Sequence, residues 1–331
     1  FVNSWKRLLD PLTSAPYAYL LFDLVNAQEY NEGKLRDFSK VGVRAIDAHT
    51  LEVKLKEPIT FFTQKLTVWV TFPLRIDLVE KWGASWSKPE HTVVLGPFVP
   101  SQHKINSQLT LRRNEKYYGK KAAVDRVVMK VVEDDTTALN LFKTGALDFL
   151  RPLNFIEVKE LKKLPSFQKV PYYRTSFLVF NIKKTPINNV KLRQAIAMAI
   201  DVRKINSLLN SEKTPPHSFI PAGVFDDHTA FPHNVASAKK LLQESGIQVK
   251  NLQPIELYSY ANDENALVLQ YIQDTLQRTL GLPIAIKLYE YKTFRSKLDL
   301  LDGSIAYTHW GADYPDPDSF LSIFLSNSGN N

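Results

Sequence analysis

The stretch Ser304-Ile-Ala-Tyr-Thr-His-Trp-Gly-Ala-Asp-Tyr-Pro-Asp-Pro-Asp-Ser-Phe320 carries the reading from which the fold follows. Its short apolar run, 304–308, predicts a buried strand that delivers Trp310 and Asp313 into a proline-punctuated turn. Residues 319–325 then predict a helix, with Asp318 as its N-cap. An acid at the carboxyl end of a strand, beside an indole, is where α/β proteins tend to put a ligand contact. His309 adjoins Trp310, but one histidine without a Ser or Cys partner is no catalytic motif.

Working back along the chain, strands and helices alternate. Strands are predicted at 175–181, 255–260 and 284–289, and helices at 190–200, 234–245, 263–280 and 292–301. Leu192, Ala195, Ile196 and Ala199 form one apolar stripe, while Gly246 and Gly281 terminate helices. Such alternation implies a sheet with helices packed on it. The first forty residues read as mostly helical, with Val2, Trp5, Leu8 and Leu9 on one face before Asp10-Pro11. Residues 41–46 and 50–56 predict a hairpin with Leu51, Val53 and Leu55 inward. Further strands are expected at 108–112 and 126–132, and a helix at 134–143 stopped by Gly145.

At 331 residues the chain exceeds one ordinary domain, so two or more lobes are expected. The net charge of +8 is spread through doublets such as Arg112-Arg113 and Lys239-Lys240 and interleaved with acids, which argues against nucleic acid as partner. Only 12 glycines occur, and neither nucleotide-binding glycine pattern is present. The absence of cysteine excludes disulfides, thiolate metal sites and a Cys nucleophile. No stretch approaches the ~20 apolar residues of a membrane helix. Asp226, Asp227, His228 and His233 form the one local cluster of metal-ligating types, in a Pro/Gly-rich stretch that reads as solvated loop, so no metal is expected. Glu133-Asp134-Asp135 reads as a helix cap. Asp313, Asp316 and Asp318 lack the glycine and distal glutamate of a calcium loop; Asp316 and Asp318 read as turn and cap residues, and Asp313 is left without a structural explanation.

Three segments resemble the family 5 extracellular solute-binding proteins of ABC importers, nearest their oligopeptide-binding branch. Trp5-Lys-Arg-Leu-Leu-Asp-Pro-Leu-Thr-Ser-Ala-Pro-Tyr17 is similar to its W-x-R-L-x-D-P-x-T-x-x-P-Y. Phe180-Asn-Ile-Lys-Lys-Thr-Pro-Ile-Asn-Asn-Val-Lys-Leu-Arg-Gln-Ala195 resembles N-x-x-x-x-P-F-x-D-x-R-V-R-x-A. Trp310-Gly-Ala-Asp-Tyr-Pro-Asp-Pro317, with Leu325-Ser-Asn-Ser-Gly-Asn330, resembles W-x-A-D-Y-x-x-P … L-S-N-S. Thr71-Phe-Pro73, Gly96-Pro-Phe98 and Asn114-Glu-Lys-Tyr-Tyr118 fall in the expected order.

The resemblance implies an α/β, two-lobed periplasmic-binding-protein-like fold of type II, of the large cluster with an accessory domain. Family proteins are longer, so the chain is expected to be incomplete at both termini. Residues 1–41 would belong to the accessory domain, 42–175 to the first ligand-binding lobe and 176–331 to the second. The implied role is the substrate-binding component of an importer, capturing short peptides between lobes and handing them to a membrane permease. Its location would be periplasmic or extracytoplasmic, with an N-terminal lipid anchor as an open alternative, and its state monomeric. A buried peptide ammonium needs a fixed counter-charge, and by resemblance Asp313 supplies it. Trp310, Gly311, Tyr307, His309, Phe177, Val179 and Asn265 complete the expected ligand contacts. No cofactor, metal or catalytic residue is implied.

The departures from the family pattern concern the other end of the ligand. Some relatives engage a peptide carboxylate with arginines that fall here on Tyr307 and Leu298, and with a histidine that falls on Asn265. The same fold with a metal complex, haem, sugar or opine as cargo therefore stays open, as does a solute-sensing module of a regulator. An enzyme is the weakest class, since no nucleophile–base pair stands out.

Overall fold

Trp5 and Leu9 lie one turn apart on the helix Val2–Leu9, and both are fully buried. The computed structural model describes residues 1–151, 158, 161–170, 172–209, 218–225 and 232–325. They fall into two compact units, Phe1–Pro152 and Leu153–Asn331.

In the first unit, Trp5, Leu9, Leu21, Leu24, Tyr30, Val41, Val43 and Phe62 form one apolar cluster. The Trp5 indole N–H donates to the Thr71 carbonyl at 2.8 Å, so its polar edge is satisfied inside that core. The helix stops at Asp10, whose carboxylate accepts the Leu12 N–H ahead of Pro11. β1 (Val43–Ala45) and β2 (Leu51–Val53) pair antiparallel, with Asp47 accepting the N–H groups of His49 and Thr50 in the turn. Leu51, Val53 and Leu55 pack on the cluster as their alternation requires.

β3 (Phe98–Lys104), β4 (Gln108–Arg113) and β5 (Arg126–Lys130) form an antiparallel sheet. β3 escapes the sequence reading because Pro100 sits within it; the register shifts between Pro100 and Gln102, the kind of edge irregularity that tolerates proline. The helix Ile76–Trp82 was likewise not expected. The helix Asp135–Lys143 begins where the acids predicted, with the Asp134 carboxylate accepting the Thr137 N–H at 2.7 Å.

The second unit is built on a four-stranded sheet. β6 (Arg174–Phe180), β7 (Ile255–Tyr260), β8 (Ile284–Tyr289) and β9 (Ile305–Gly311) lie in the order β6-β9-β7-β8. β7 is parallel to both β8 and β9, whereas β6 is antiparallel to β9. On one face, Ile255, Leu257, Ile305 and Tyr307 meet the helices Val190–Ala199, Val235–Glu244 and Asp263–Leu280. The last of these buries Val268, Leu269, Ile272, Leu276 and Leu280, one helical stripe. It starts on the Asn262 cap and ends at Gly281 with φ 70°. On the other face, Tyr258 and Ala306 pack on Phe294 of the helix Tyr291–Asp299.

The chain passes from β7 outward to β8 over one face and returns past β7 to β9 over the other. The crevice beyond the carboxyl ends of β7 and β9 is thus a topological switch point, where open α/β sheets bind ligands.

Two local expectations change. β9 runs three residues past 308, because β6 supplies ladder partners as far as Arg174↔Gly311. The helix after the turn starts at Asp318 and turns 3₁₀ from Ser322. Asp318 therefore lies inside the helix, and the Asp316 carboxylate accepts its N–H at 2.9 Å.

Candidate functional site

The exits of β7, β8 and β9 and the entry of β6 share one end of this sheet, since β6 runs opposite to its neighbour. Most of the sequence-predicted site residues collect there. Tyr307 is 8% exposed. Its carbonyl accepts the Ser259 hydroxyl at 2.8 Å, and its own hydroxyl bonds the Ser176 side chain. Burial raises the phenol above its usual range; the Ser176 bond opposes this, the Glu264 charge adds to it, and the Arg174 charge opposes it. Glu264, Arg174 and Tyr260 thus act on the Tyr307 phenol together with the Ser176 hydroxyl.

Half-buried His309 meets the Tyr260 ring edge-on at 5.8 Å, and Tyr260 meets Tyr291 at 5.4 Å. These rings span the exits of three strands at the switch point. Tyr291 is largely exposed.

Ser319 organises the turn after β9. It is 2% exposed; its carbonyl accepts the Trp310 indole N–H at 2.7 Å and its hydroxyl accepts the Asp313 N–H at 3.0 Å. Tyr314 donates its hydroxyl to the Asp318 carboxylate at 2.5 Å. The backbone at half-buried Asp313 is thus held from the following helix. Gly311 lies under Tyr172, whose hydroxyl oxygen would stand 3.4 Å from a Cβ there, and Ala312 donates its N–H to the Tyr173 carbonyl at 2.8 Å.

The remaining candidates sit differently. Phe177 packs on Phe219 at 4.8 Å, which in turn packs on Phe324 at 4.7 Å. Val179 joins the Tyr258–Phe294–Ala306 cluster. Asn265 is 5% exposed and spends its amide on the Tyr260 carbonyl at 3.0 Å. Leu298 packs on the same cluster as Val179.

Four neighbours were missed in the sequence: Arg174, Ser176, Tyr260 and Tyr291. Ser176 pairs with His309 and Arg174 with Gly311, so only the β6–β9 register reveals them. Strict alternation back from 180 puts 174, 176 and 178 on one face, but only the register makes it the face of Tyr307.

Among the described residues, no group of three or more His, Cys, Asp or Glu is gathered as a metal requires. His233 stands 4.0 Å from Asp201, while Asp226, Asp227 and His228 lie outside the described residues, as do residues 326–330 of the last quoted motif. Among the described residues, no helix is long and apolar enough to cross a membrane.

The family model of bacterial extracellular solute-binding proteins, family 5, matches residues 1–331. The chain is 30% identical to the periplasmic oligopeptide-binding protein OppA of Salmonella typhimurium, covering all of itself and 64% of that protein. It is 29% identical, with the same coverage, to a probable deoxycholate-binding periplasmic protein, YgiS, of Escherichia coli. The chain thus spans less than two thirds of the length of these curated relatives. It superimposes on the crystal structure of an oligopeptide-binding protein, OppAIV, of Borrelia burgdorferi with a TM-score of 0.89 and 28% identity, over 99% of this chain and 67% of that one.

Proposed function

Because the chain belongs to the family 5 bacterial extracellular solute-binding proteins, whose α/β periplasmic-binding-protein-like fold it shares, we propose that it captures short peptides for an ABC importer and delivers them to the membrane permease. Asp313 pairs with the peptide ammonium. The observation that carries this is the position of Asp313, at the exit of β9 beside the switch-point crevice, with its backbone N–H tethered to Ser319. A carboxylate whose backbone is held from the following helix offers a counter-charge, and the rings at the strand exits offer a surface for variable side chains. Peptide backbone then pairs along strand edges, as extended ligands commonly do.

On this reading the protein works outside the cytoplasm as a monomer, and its chain divides at residues 41 and 175 into an accessory domain and two ligand-binding lobes. The test is titration of the full-length protein with a randomised tripeptide library, free or N-acetylated, read by native mass spectrometry. Asp313→Asn is expected to weaken the free peptides about tenfold or more and to erase their advantage over the acetylated ones. Equal binding of both forms by the unmodified protein sinks the ammonium role.

A second reading, an amphipathic non-peptide cargo, is favoured by the Tyr260, Tyr291 and His309 rings and by the similarity to the deoxycholate-binding relative. Deoxycholate included in the titration decides between them: tight binding that survives Asp313→Asn supports this cargo and counts against peptides.

A further inference from the structure

We propose that His91 is an acid-operated latch, which on protonation fastens the segment 83–92 more tightly to the end of the helix Ile76–Trp82. The device lies wholly within the first unit and is independent of what the protein carries.

The helix ends at Trp82, and a 3₁₀ turn over Gly83–Ser85 sends the chain back on itself. Backbone bonds then close the segment. Lys88 donates its N–H to the Ser85 carbonyl at 3.1 Å, and His91 and Thr92 both donate to the Lys88 carbonyl, at 2.9 and 3.0 Å. The half-buried His91 ring is thereby laid flat on the Trp82 indole, with centroids 3.7 Å apart and planes within 7° of parallel. Its Nδ1 stands 3.0 Å from the Ser85 carbonyl. One side chain thus grips both the end of the helix and the turn that follows it.

The carbonyl decides the tautomer. It can only accept, so Nδ1 carries hydrogen in both charge states and Nε2 takes the added proton. Protonation therefore keeps the same contacts and strengthens each of them. The N–H···O bond becomes charge-assisted. The ring becomes a cation on an indole face, the aromatic surface that attracts cations best.

The charges around the ring set the size of the effect. The helix carries Asp77, Glu80 and Lys81, the turn 83–85 carries no titratable group, and the segment after it carries Lys88 and Glu90. Asp77 is bonded by Arg75 at the far end of the helix. Lys81 brings its ammonium to 4.9 Å from the Trp82 ring, so it competes for the same indole and opposes the latch. Among the described residues no carboxylate pairs with His91. The indole and the carbonyl, rather than a counter-ion, are what respond to its charge.

Hydrogen–deuterium exchange of the full-length protein tests this, compared at about pH 8 and about pH 5, the window in which histidine changes charge, and corrected for the intrinsic pH dependence of exchange. Peptides covering 83–92 are expected to gain about two- to fivefold in protection at the lower pH, the range that a cation on a partly exposed indole supports. His91→Gln keeps a side-chain N–H for the Ser85 carbonyl but takes no charge, and is expected to abolish the gain. Trp82→Leu is expected to shrink it, and Lys81→Gln to enlarge it. Equal protection at the two pH values in the unmodified protein overturns the proposal, as does a gain that survives His91→Gln. A gain that Trp82→Leu leaves whole overturns it too, because the cation would then act elsewhere. Thermal melts of each variant check that the rest of the fold is kept.

Discussion

At the scale of single residues, Ser319 is the hinge of the proposed site. Its hydroxyl holds the Asp313 N–H and its carbonyl holds the Trp310 indole, so one small buried residue fixes both an acid and a ring. Ser319→Ala removes only the first contact. Losing a buried acceptor costs about 1–3 kcal/mol, and urea unfolding is expected to register a loss in that range. Free-tripeptide affinity is expected to fall as well, with the environment of Trp310 fluorescence unchanged because the carbonyl contact remains. Unchanged affinity would mean that Asp313 is positioned without Ser319. None of this tether was legible in the sequence, where Ser319 was simply the first residue of an expected helix. The placement of the acid just past a strand exit was legible, because the apolar run 304–308 marks the strand that leads to it. The places of Arg174 and Ser176 opposite Gly311 and His309 were not, because that pairing spans well over a hundred residues and depends on strand register.

At the scale of elements, local patterning predicted most of the second unit and less of the first. The helix Asp263–Leu280 carries an Asn cap, a continuous apolar stripe and a terminal glycine, so three independent signals agree. β3 carries a proline and a bulge, and no alternation marks it. The turn into β9 shows how specific such elements are. Gly303 has φ 154°, and a Cβ there would collide with the Tyr258 ring, in a turn held by the Asn181 amide on the Gly303 and Leu301 carbonyls. Gly303→Ala must therefore strain the backbone and push Tyr258 together. The expected loss is at least about 2 kcal/mol, seen as a lower urea midpoint. A neutral result would show that the turn relaxes freely. Asn189 performs a similar task between helices: it caps Val190–Ala199 through the Lys191 and Leu192 N–H groups and donates to the Ser245 carbonyl. Asn189→Ala is expected to cost about 1–2 kcal/mol by the same measurement, and Asn189→Asp less, since the cap survives.

At the scale of the whole molecule, each unit carries its own core and its own sensitivity to pH. In the first, Glu115 accepts from Lys121 and Arg113, which lowers its carboxyl to about 2. A depressed carboxylate stabilises the fold above its unfolded value, and that contribution is lost as pH falls from the ordinary range through about 2. Because the group is exposed, added salt should blunt the effect. In the second unit, burial first, then the charges of Glu256 and Asp302, push the Tyr258 phenol up to about 12. Here the sign reverses. The folded state resists ionisation, so the contribution is fully present below pH 10 and lost as pH rises through about 12. Lys297 reinforces this corner, lying over the Tyr258 and Tyr289 rings and paired with Asp302 at 2.7 Å. Thermal melts across both ranges are expected to show acid loss that Glu115→Gln reduces and salt weakens. They are also expected to show alkaline loss that Tyr258→Phe reduces and salt leaves largely unaltered. If Tyr258→Phe leaves the alkaline limb unchanged, other phenols control it, and an ultraviolet titration of the single variant would then show no loss of a late-ionising tyrosine.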